Sequence, residues 1–260
     1  MVSESLPQHR HQVTEWRIHL SLAGLHIPAI VRLHTRMASR QRTPLTWMQR
    51  LAGSFLVFDG PDGSGKSTQF TRFAAHCRAG GLTVCEVREP GGTSIGEQIR
   101  RILLDQANTE MSLRCEMMLY MASRSQLIEQ TIRPALARGE MVLADRFISS
   151  TLAYQGTAGG MSAEDILAVG RVAVGDVWPD LTVVFDVPVD VASRRLNPLL
   201  DRMEQKGAEF HRRVRQGYLD QAQLMPDRYI VIDASPDADT VFDAVLKSVE
   251  ARSATLRSSR

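Results

Sequence analysis

From Ser54 onward, short apolar runs alternate with longer amphipathic stretches. The runs FLVFD, LTVCEV, MVLAD, LTVVFDV and YIVID are rich in Val, Leu and Ile, and each is bounded by turn-forming or charged residues. Runs of this length and composition predict strands buried on both faces, as in a parallel sheet. Between two of them, EMMLYMASRSQLIEQTIRPALARG carries apolar residues at helical spacing and ends at a glycine, which predicts a helix with a C-terminal stop. Strands alternating with helices give an α/β fold: a doubly wound, five-stranded parallel sheet flanked by helices. Ligands of such sheets sit at the carboxyl ends of the strands, so the loops after each strand are where chemistry is expected.

Residues 1–52 break the pattern. They hold pieces such as TEWRIHLSLAGLHIPAIVRLH but no glycine-punctuated strand, and they carry seven Arg against two Glu, with five His. Three readings fit this basic, poorly ordered extension: a targeting peptide, which is Arg-rich and acid-poor; a partner-binding or membrane-surface helix; or an idle extension ahead of a start at Met37 or Met48. The rest of the chain has 24 basic and 27 acidic residues, so the net charge of +2 conceals a mildly acidic body. The domain is expected over residues 53–250, followed by a short tail over 251–260. Cys77, Cys85 and Cys115 are odd in number and lack paired ligand spacing, which suggests neither a disulfide framework nor a zinc site. No apolar run approaches the roughly 18 residues needed to cross a bilayer. A cytoplasmic protein is expected, with no membrane or nucleic-acid partner.

The first run leads into GPDGSGKST. Gly60, Gly65, Lys66 and Ser67 complete GxxxxGKS, after a predicted strand and before a predicted helix. Glycines let backbone N–H groups converge on phosphate oxygens, the helix start adds its positive end, Lys66 reaches the terminal phosphates and Ser67 can ligate Mg²⁺. Gly60, Pro61, Asp62, Gly63, Ser64, Gly65, Lys66, Ser67 and Thr68 are thus candidates to bind ATP. The cradle alone leaves the acceptor open. A guanine-nucleotide switch is disfavoured because the only lysines, Lys66, Lys206 and Lys247, stand in no NKxD segment.

Further motifs address the acceptor. Arg88 of REPGGT and Arg146 of DRF can clamp a phosphate through bidentate guanidinium donors. Tyr120 can stack on a base, and Arg124, one helical turn on, can donate to a base carbonyl; helix packing and a surface ion pair are the plainer readings of these two. Asp145 ends a strand as a Mg²⁺-binding carboxylate does. Asp186 imitates that pattern but lacks a following Arg, so a structural role is expected.

Taken together, DGxxGxGKST, REPGGT, an aromatic followed four residues later by Arg, DR before AYQG, and DRxE resemble the thymidylate kinase family, from about Phe55 to about Leu246. The resemblance implies a Mg²⁺-dependent transfer of the ATP γ-phosphoryl to dTMP by a homodimer. It implies that Arg88 and Arg146 hold the acceptor phosphate and that Pro90 packs beside the base. Thr151 and Gln155 would lie near the base's polar edge, although each also suits a helix cap or the surface. Tyr154 would lie under the sugar and disfavour a 2′-hydroxyl, or else be plain core. Asp62 matches a loop carboxylate that contacts the sugar hydroxyl and the magnesium environment, and Glu89 is a magnesium or loop-fixing carboxylate. The family's aromatic is often Phe, so Tyr120 departs mildly.

Gly63, where some relatives carry Arg, implies that positive charge comes from a lid, here about 193–208. Arg195 ranks first as its source and Arg194 second, while Arg202 either joins them or organises the lid by pairing with carboxylates. The segment Asn197-Pro198-Leu199-Leu200 departs from the family's more arginine-rich lids. A nucleoside or nucleotide kinase of other base preference, or a non-catalytic nucleotide-binding module, are the competing functions.

Overall fold

The computed structural model describes residues 46–195 and 201–256. Among them, β1 (Phe55–Asp59), β2 (Val84–Arg88), β3 (Met141–Asp145), β4 (Leu181–Asp186) and β5 (Tyr229–Asp233) form one sheet in the order β2-β3-β1-β4-β5. Every pairing is parallel; residues 55–58 lie opposite 142–145, and 56–59 opposite 181–184, so β1 is the centre. The chain leaves β1 toward β2 and leaves β4 toward β5, which opens a crevice at the carboxyl ends beside β1.

Helices cover both faces: α1 (Lys66–Ala79), α2 (Ser94–Leu104), α3 (Leu113–Leu127), α4 (Arg133–Ala137), α5 (Ile148–Thr151), α6 (Ala163–Val174), α7 (Val189–Arg195), α8 (Ala208–Leu224) and α9 (Ala238–Arg252). The two-residue period of β1 divides the core. Leu56 and Phe58 pack with Phe73, Phe185 and Val245 on one face, whereas Phe55 and Val57 pack with Met117, Met121, Ile128 and Phe147 on the other. Ser112 and Ser162 cap α3 and α6 by accepting the amides of Cys115 and Asp165.

Two boundaries differ from the sequence expectation. The run LTVCEV enters the sheet only at Val84, because the Leu82 amide bonds back to the Cys77 carbonyl at 3.0 Å and finishes the turn after α1. The long helix is not uniform: between α3 and α4 it widens to a π-helical turn over Ile128–Ile132, just ahead of Pro134. Proline has no N–H to give and its ring crowds the carbonyl four residues back, and a wider turn relieves both.

The division expected at residue 52 falls inside a packed segment. Leu51 is fully buried in the core and the Trp47 ring stacks on His76, with centroids 6.2 Å apart. The body therefore includes residues 46–52, while the earlier residues, with Met37 and the three readings of the leader, lie outside the described residues. At the other end α9 runs to Arg252, and Ser253 and Leu256 are buried, so the tail expected from 251 begins as part of the body.

A chain beginning at residue 46 should be more stable than one beginning at residue 53 by about 2–4 kcal/mol, the cost of losing one buried leucine. Urea denaturation of the two truncations measures the difference; equal midpoints would contradict the assignment of 46–52 to the body.

Candidate active site

The loop between β1 and α1 starts the site. Gly65 stands at the N-cap of α1 in a left-handed conformation, φ 80°, and no side chain caps the helix, so its first amides are turned outward. An uncapped helix start of this kind favours an anion. Gly63, φ 76°, is closed to any side chain: a Cβ there would meet the Ala192 carbonyl oxygen of α7 at 2.3 Å. The backbone of α7 thus packs directly on the loop. Lys66 is buried, with Nζ 2.8 Å from Asp145 Oδ1 at the end of β3, and Ser67 is exposed in the first turn of α1.

Arg146 follows Asp145 and is the pivot. Its φ of 71° is the one left-handed value at a non-glycine residue among those described; such strain persists where surrounding contacts over-determine it. The amide bonds to the Phe58 carbonyl at 3.0 Å, and the side chain turns back across the end of β1. Nη1 donates to the Gly60 carbonyl (3.1 Å), Ser150 Oγ (3.0 Å), the Tyr218 hydroxyl (3.1 Å) and Asp59 Oδ1 (3.3 Å). Nη2 forms a very short contact with Asp62 Oδ1, and the Tyr154 hydroxyl donates to Asp62 Oδ2 at 2.7 Å. Asp59, fully buried, also accepts from the hydroxyls of Ser149 (2.6 Å), Ser150 (2.7 Å) and Tyr218 (2.6 Å).

Electrostatics follow from this geometry. Burial pushes the Asp62 carboxyl up, but Arg146, Lys66 and the Tyr154 hydroxyl together outweigh it and hold its pKa below the usual carboxylate value. Burial works against the Arg146 charge too, yet Asp62, Tyr154, Tyr218 and Asp59 raise its pKa well above that of free arginine. Burial, joined by the neighbouring acids and opposed by Arg146, pushes the Tyr154 and Tyr218 phenols far up, so both stay protonated.

A second cluster lies on α3. Arg124 is 1% exposed and meets Glu89 Oε2 at 2.6 Å through Nη2, donates to Thr151 Oγ1 at 3.2 Å and lies over the Phe147 ring. The ion pair read as a surface alternative is therefore buried. Glu89 Oε1 is buried without a partner among the described residues. Burial raises the Glu89 carboxyl to about 7 despite Arg124. Gln155 is buried and bonded to Glu116 Oε1 at 2.7 Å; both Tyr154 and Gln155 ride on a π-helical segment, Leu152–Ala158, that continues α5. Wide turns of this kind re-aim side chains and recur at functional sites. Pro90 is buried and its carbonyl accepts from Arg100 at 2.9 Å. The Tyr120 phenol is pushed up by burial and then by Glu116, opposed by Arg146 and Arg202.

Not every candidate joins them. Arg88 is exposed and paired with Glu97 at 3.1 Å. Arg194 is exposed and pairs with Asp190 at 3.3 Å. Arg195, ranked first from sequence, donates instead to the Ala234 and Ser235 carbonyls at 2.8 and 3.0 Å, beyond β5. Arg202, by contrast, is largely buried and pairs with Glu116 at 2.7 Å. Asp201 and Glu204 bond each other's turn: Oδ1 of Asp201 accepts the Glu204 amide and Oε2 of Glu204 accepts the Asp201 amide, both at 2.9 Å. Residues 196–200, with Asn197 and Pro198, lie outside the described residues. Asp186 is held bidentately by Arg215 of α8 at 2.6 and 2.8 Å, in line with the structural role expected of it.

Sequence reasoning missed Asp59, Tyr218, Ser149, Ser150 and Glu116. Two signals were present: Ser149 and Ser150 stand three and four residues after Arg146, and Glu116 precedes Tyr120 and Arg124 by four and eight on one helix face. Nothing in the sequence marks Tyr218.

The Glu89 carboxyl has its pKa raised from an ordinary 4.5 to about 7. The fold therefore binds its proton more tightly than the unfolded chain does. That contribution is complete below pH 4.5 and lost as pH rises through about 7, at most about 3 kcal/mol. Urea titrations from pH 4.5 to 8 should show a shallower loss of stability for Glu89→Gln; an unchanged slope would count against the buried, destabilised carboxylate.

Comparison with known proteins bears on this geometry. The family model described as Thymidylate kinase matches residues 58–245. A thymidylate kinase of Desulforudis audaxviator is 44% identical over 203 residues, covering 77% of this chain and 92% of that one. One of Pseudomonas putida is 44% identical over 204 residues, covering 76% and 97%. The crystal structure of thymidylate kinase from Ehrlichia chaffeensis superposes with a TM-score of 0.63 at 33% identity, covering 76% of this chain and 98% of that one. The phosphate loop after β1, the arginine after β3 and a match spanning nearly the whole length of these relatives lead to one conclusion: the chain belongs to the thymidylate kinase family.

Proposed function

We propose that the chain transfers the γ-phosphoryl group of ATP to dTMP, giving dTDP and ADP. One observation carries the reading: Asp62 of the phosphate loop, Arg146 after β3 and Tyr154 of the π-helical segment are hydrogen-bonded as a unit. A donor cradle and an acceptor-phosphate arginine joined in this way fix the two substrates relative to each other, and positioning is the larger part of phosphoryl-transfer catalysis.

On this reading the loop from Gly60 to Thr68 takes the ATP phosphates, with Lys66 neutralising their charge. Arg146, with Arg88 swung from Glu97, aligns the acceptor phosphate, which is already an oxyanion near neutral pH and needs no strong base. Tyr120, Pro90, Arg124, Thr151 and Gln155 form the base side, and Tyr154 and Asp62 the sugar side. Arg202 is the lid arginine best placed to act near the reacting groups; Arg194 and Arg195 would have to leave Asp190 and the carbonyls after β5.

The residues fit Mg²⁺. Ser67 and Asp145 offer a hydroxyl and a carboxylate next to the cradle, and the unpartnered Oε1 of Glu89 is a further oxygen. No group of three or more His, Cys, Asp or Glu among the described residues could hold a metal alone; a Mg²⁺ ion held by one or two protein groups takes its other ligands from substrate phosphates and water. Bound there, Mg²⁺ would supply positive charge against the substrate phosphates. A homodimer is supported by the exposed apolar residues Ile95 and Ile102 of α2, Met118 of α3 and Val172 of α6. No described helix is long and apolar enough to cross a membrane, and the described cysteines are free thiols.

With ATP and Mg²⁺, ADP release should be fastest with dTMP when dTMP, dUMP, dCMP, dGMP and UMP are offered singly. Lys66→Ala should lower kcat by about 10²-fold or more, the scale of losing one preorganised charge donor. Failure to turn over any of these acceptors would sink the kinase assignment, and a better acceptor than dTMP would sink the base assignment.

A further inference from the structure

Glu116 is 1% exposed and belongs to none of the phosphate- or base-contacting sets named above. Its two carboxylate oxygens serve different parts of the molecule. Oε1 accepts Nε2 of Gln155, on the base side, at 2.7 Å. Oε2 meets Arg202 Nη2 at 2.7 Å and lies 3.9 Å from Lys206 Nζ, both in the lid. A carboxylate is an acceptor only, so Gln155 must turn its NH₂ toward Glu116 and its carbonyl the other way. Arg202 is fixed at a second point, Nε donating to the Leu103 carbonyl at 2.8 Å, and Lys206 lies over the Phe210 ring.

We propose that Glu116 is a positioning residue that couples the base side of the site to the lid. The inference rests on the proposed dTMP kinase reading. One buried carboxylate cannot satisfy Gln155, Arg202 and Lys206 independently: a pull on Gln155 by a base alters the geometry offered to Arg202, and the reverse. The cluster of Glu116, Arg202 and Lys206 carries one surplus positive charge, held at Glu116 on the helix that also bears Tyr120 and Arg124. Binding of the correct base thereby sets where the lid's positive charge stands. By thermodynamic reciprocity, lid posture sets the affinity for the base.

The test is tryptic cleavage after Arg202 and Lys206, with calorimetric dTMP binding measured in parallel. In the wild type dTMP should slow cleavage at both bonds about 10-fold, within the usual range of site–site coupling. In Glu116→Gln, dTMP should still bind but protect neither bond, and kcat should fall about 10-fold. Should Glu116→Gln fail to fold, Arg202→Gln is read in the same way from cleavage after Lys206, with the same expected loss of protection. Folded variants that bind dTMP and keep wild-type protection and kcat overturn the coupling and leave the kinase reading standing. A wild type that does not bind dTMP overturns that reading itself.

Discussion

A guanidinium placed where water is largely excluded must be answered by acceptors, and the Arg146 side chain organises the functional end of the sheet around that requirement. It has two carboxylates, a backbone carbonyl and three hydroxyls within reach. Those partners come from β1, the phosphate loop, α5, its π-helical continuation and α8. Asp59 anchors the inner side and Asp62 the outer side. Asp59 itself has five donors, which is what makes a fully buried carboxylate tolerable. The left-handed backbone at Arg146 is the local cost of aiming the side chain back over β1, and Asp59, Asp62 and Tyr218 together offset it.

The same logic extends across the site. Lys66 pairs with Asp145, Arg88 with Glu97, Arg124 with Glu89, Arg146 with Asp62 and Arg202 with Glu116. A substrate phosphate that reaches Lys66 or Arg146 exchanges one anion for another, so a charge released from water need not be left unpaired. Asp145, set aside from Lys66 in that exchange, is one of the groups proposed to meet a divalent cation. Gly63 belongs to this economy of space: with the α7 carbonyl of Ala192 against it, no arginine can stand at position 63. On the proposed reading, extra positive charge comes from the lid, where Arg202 pairs with the buried Glu116.

Sheet and cradle were legible in the sequence because they depend on local signals. Val-, Leu- and Ile-rich runs of five or six residues bury on both faces, and GxxxxGKS joins a strand to a helix in a single pattern. Arg124 and Arg146 stood out in the sequence as site candidates, but the contacts they make did not. Asp59 to Tyr218 is a contact across 159 residues and Glu89 to Arg124 one across 35, and no periodicity reports such pairings. The lid ranking placed Arg195 ahead of Arg202 because motif spacing says which arginines are near the lid, not which carbonyls past β5 tie one of them down. Leu51 was assigned to the leader because residues 46–52 carry no strand or long helix, although one buried leucine and one stacked tryptophan attach them to the core.

The central claim is that the phosphate loop and the acceptor arginine act as one unit through Asp62 and Arg146. A double-mutant cycle on kcat/KM for dTMP, with Asp62→Asn, Arg146→Gln and both together, measures it directly. If the two residues act together, the double variant loses little more than the worse single variant, a coupling of about 1 kcal/mol or more. Losses that simply add would contradict the account.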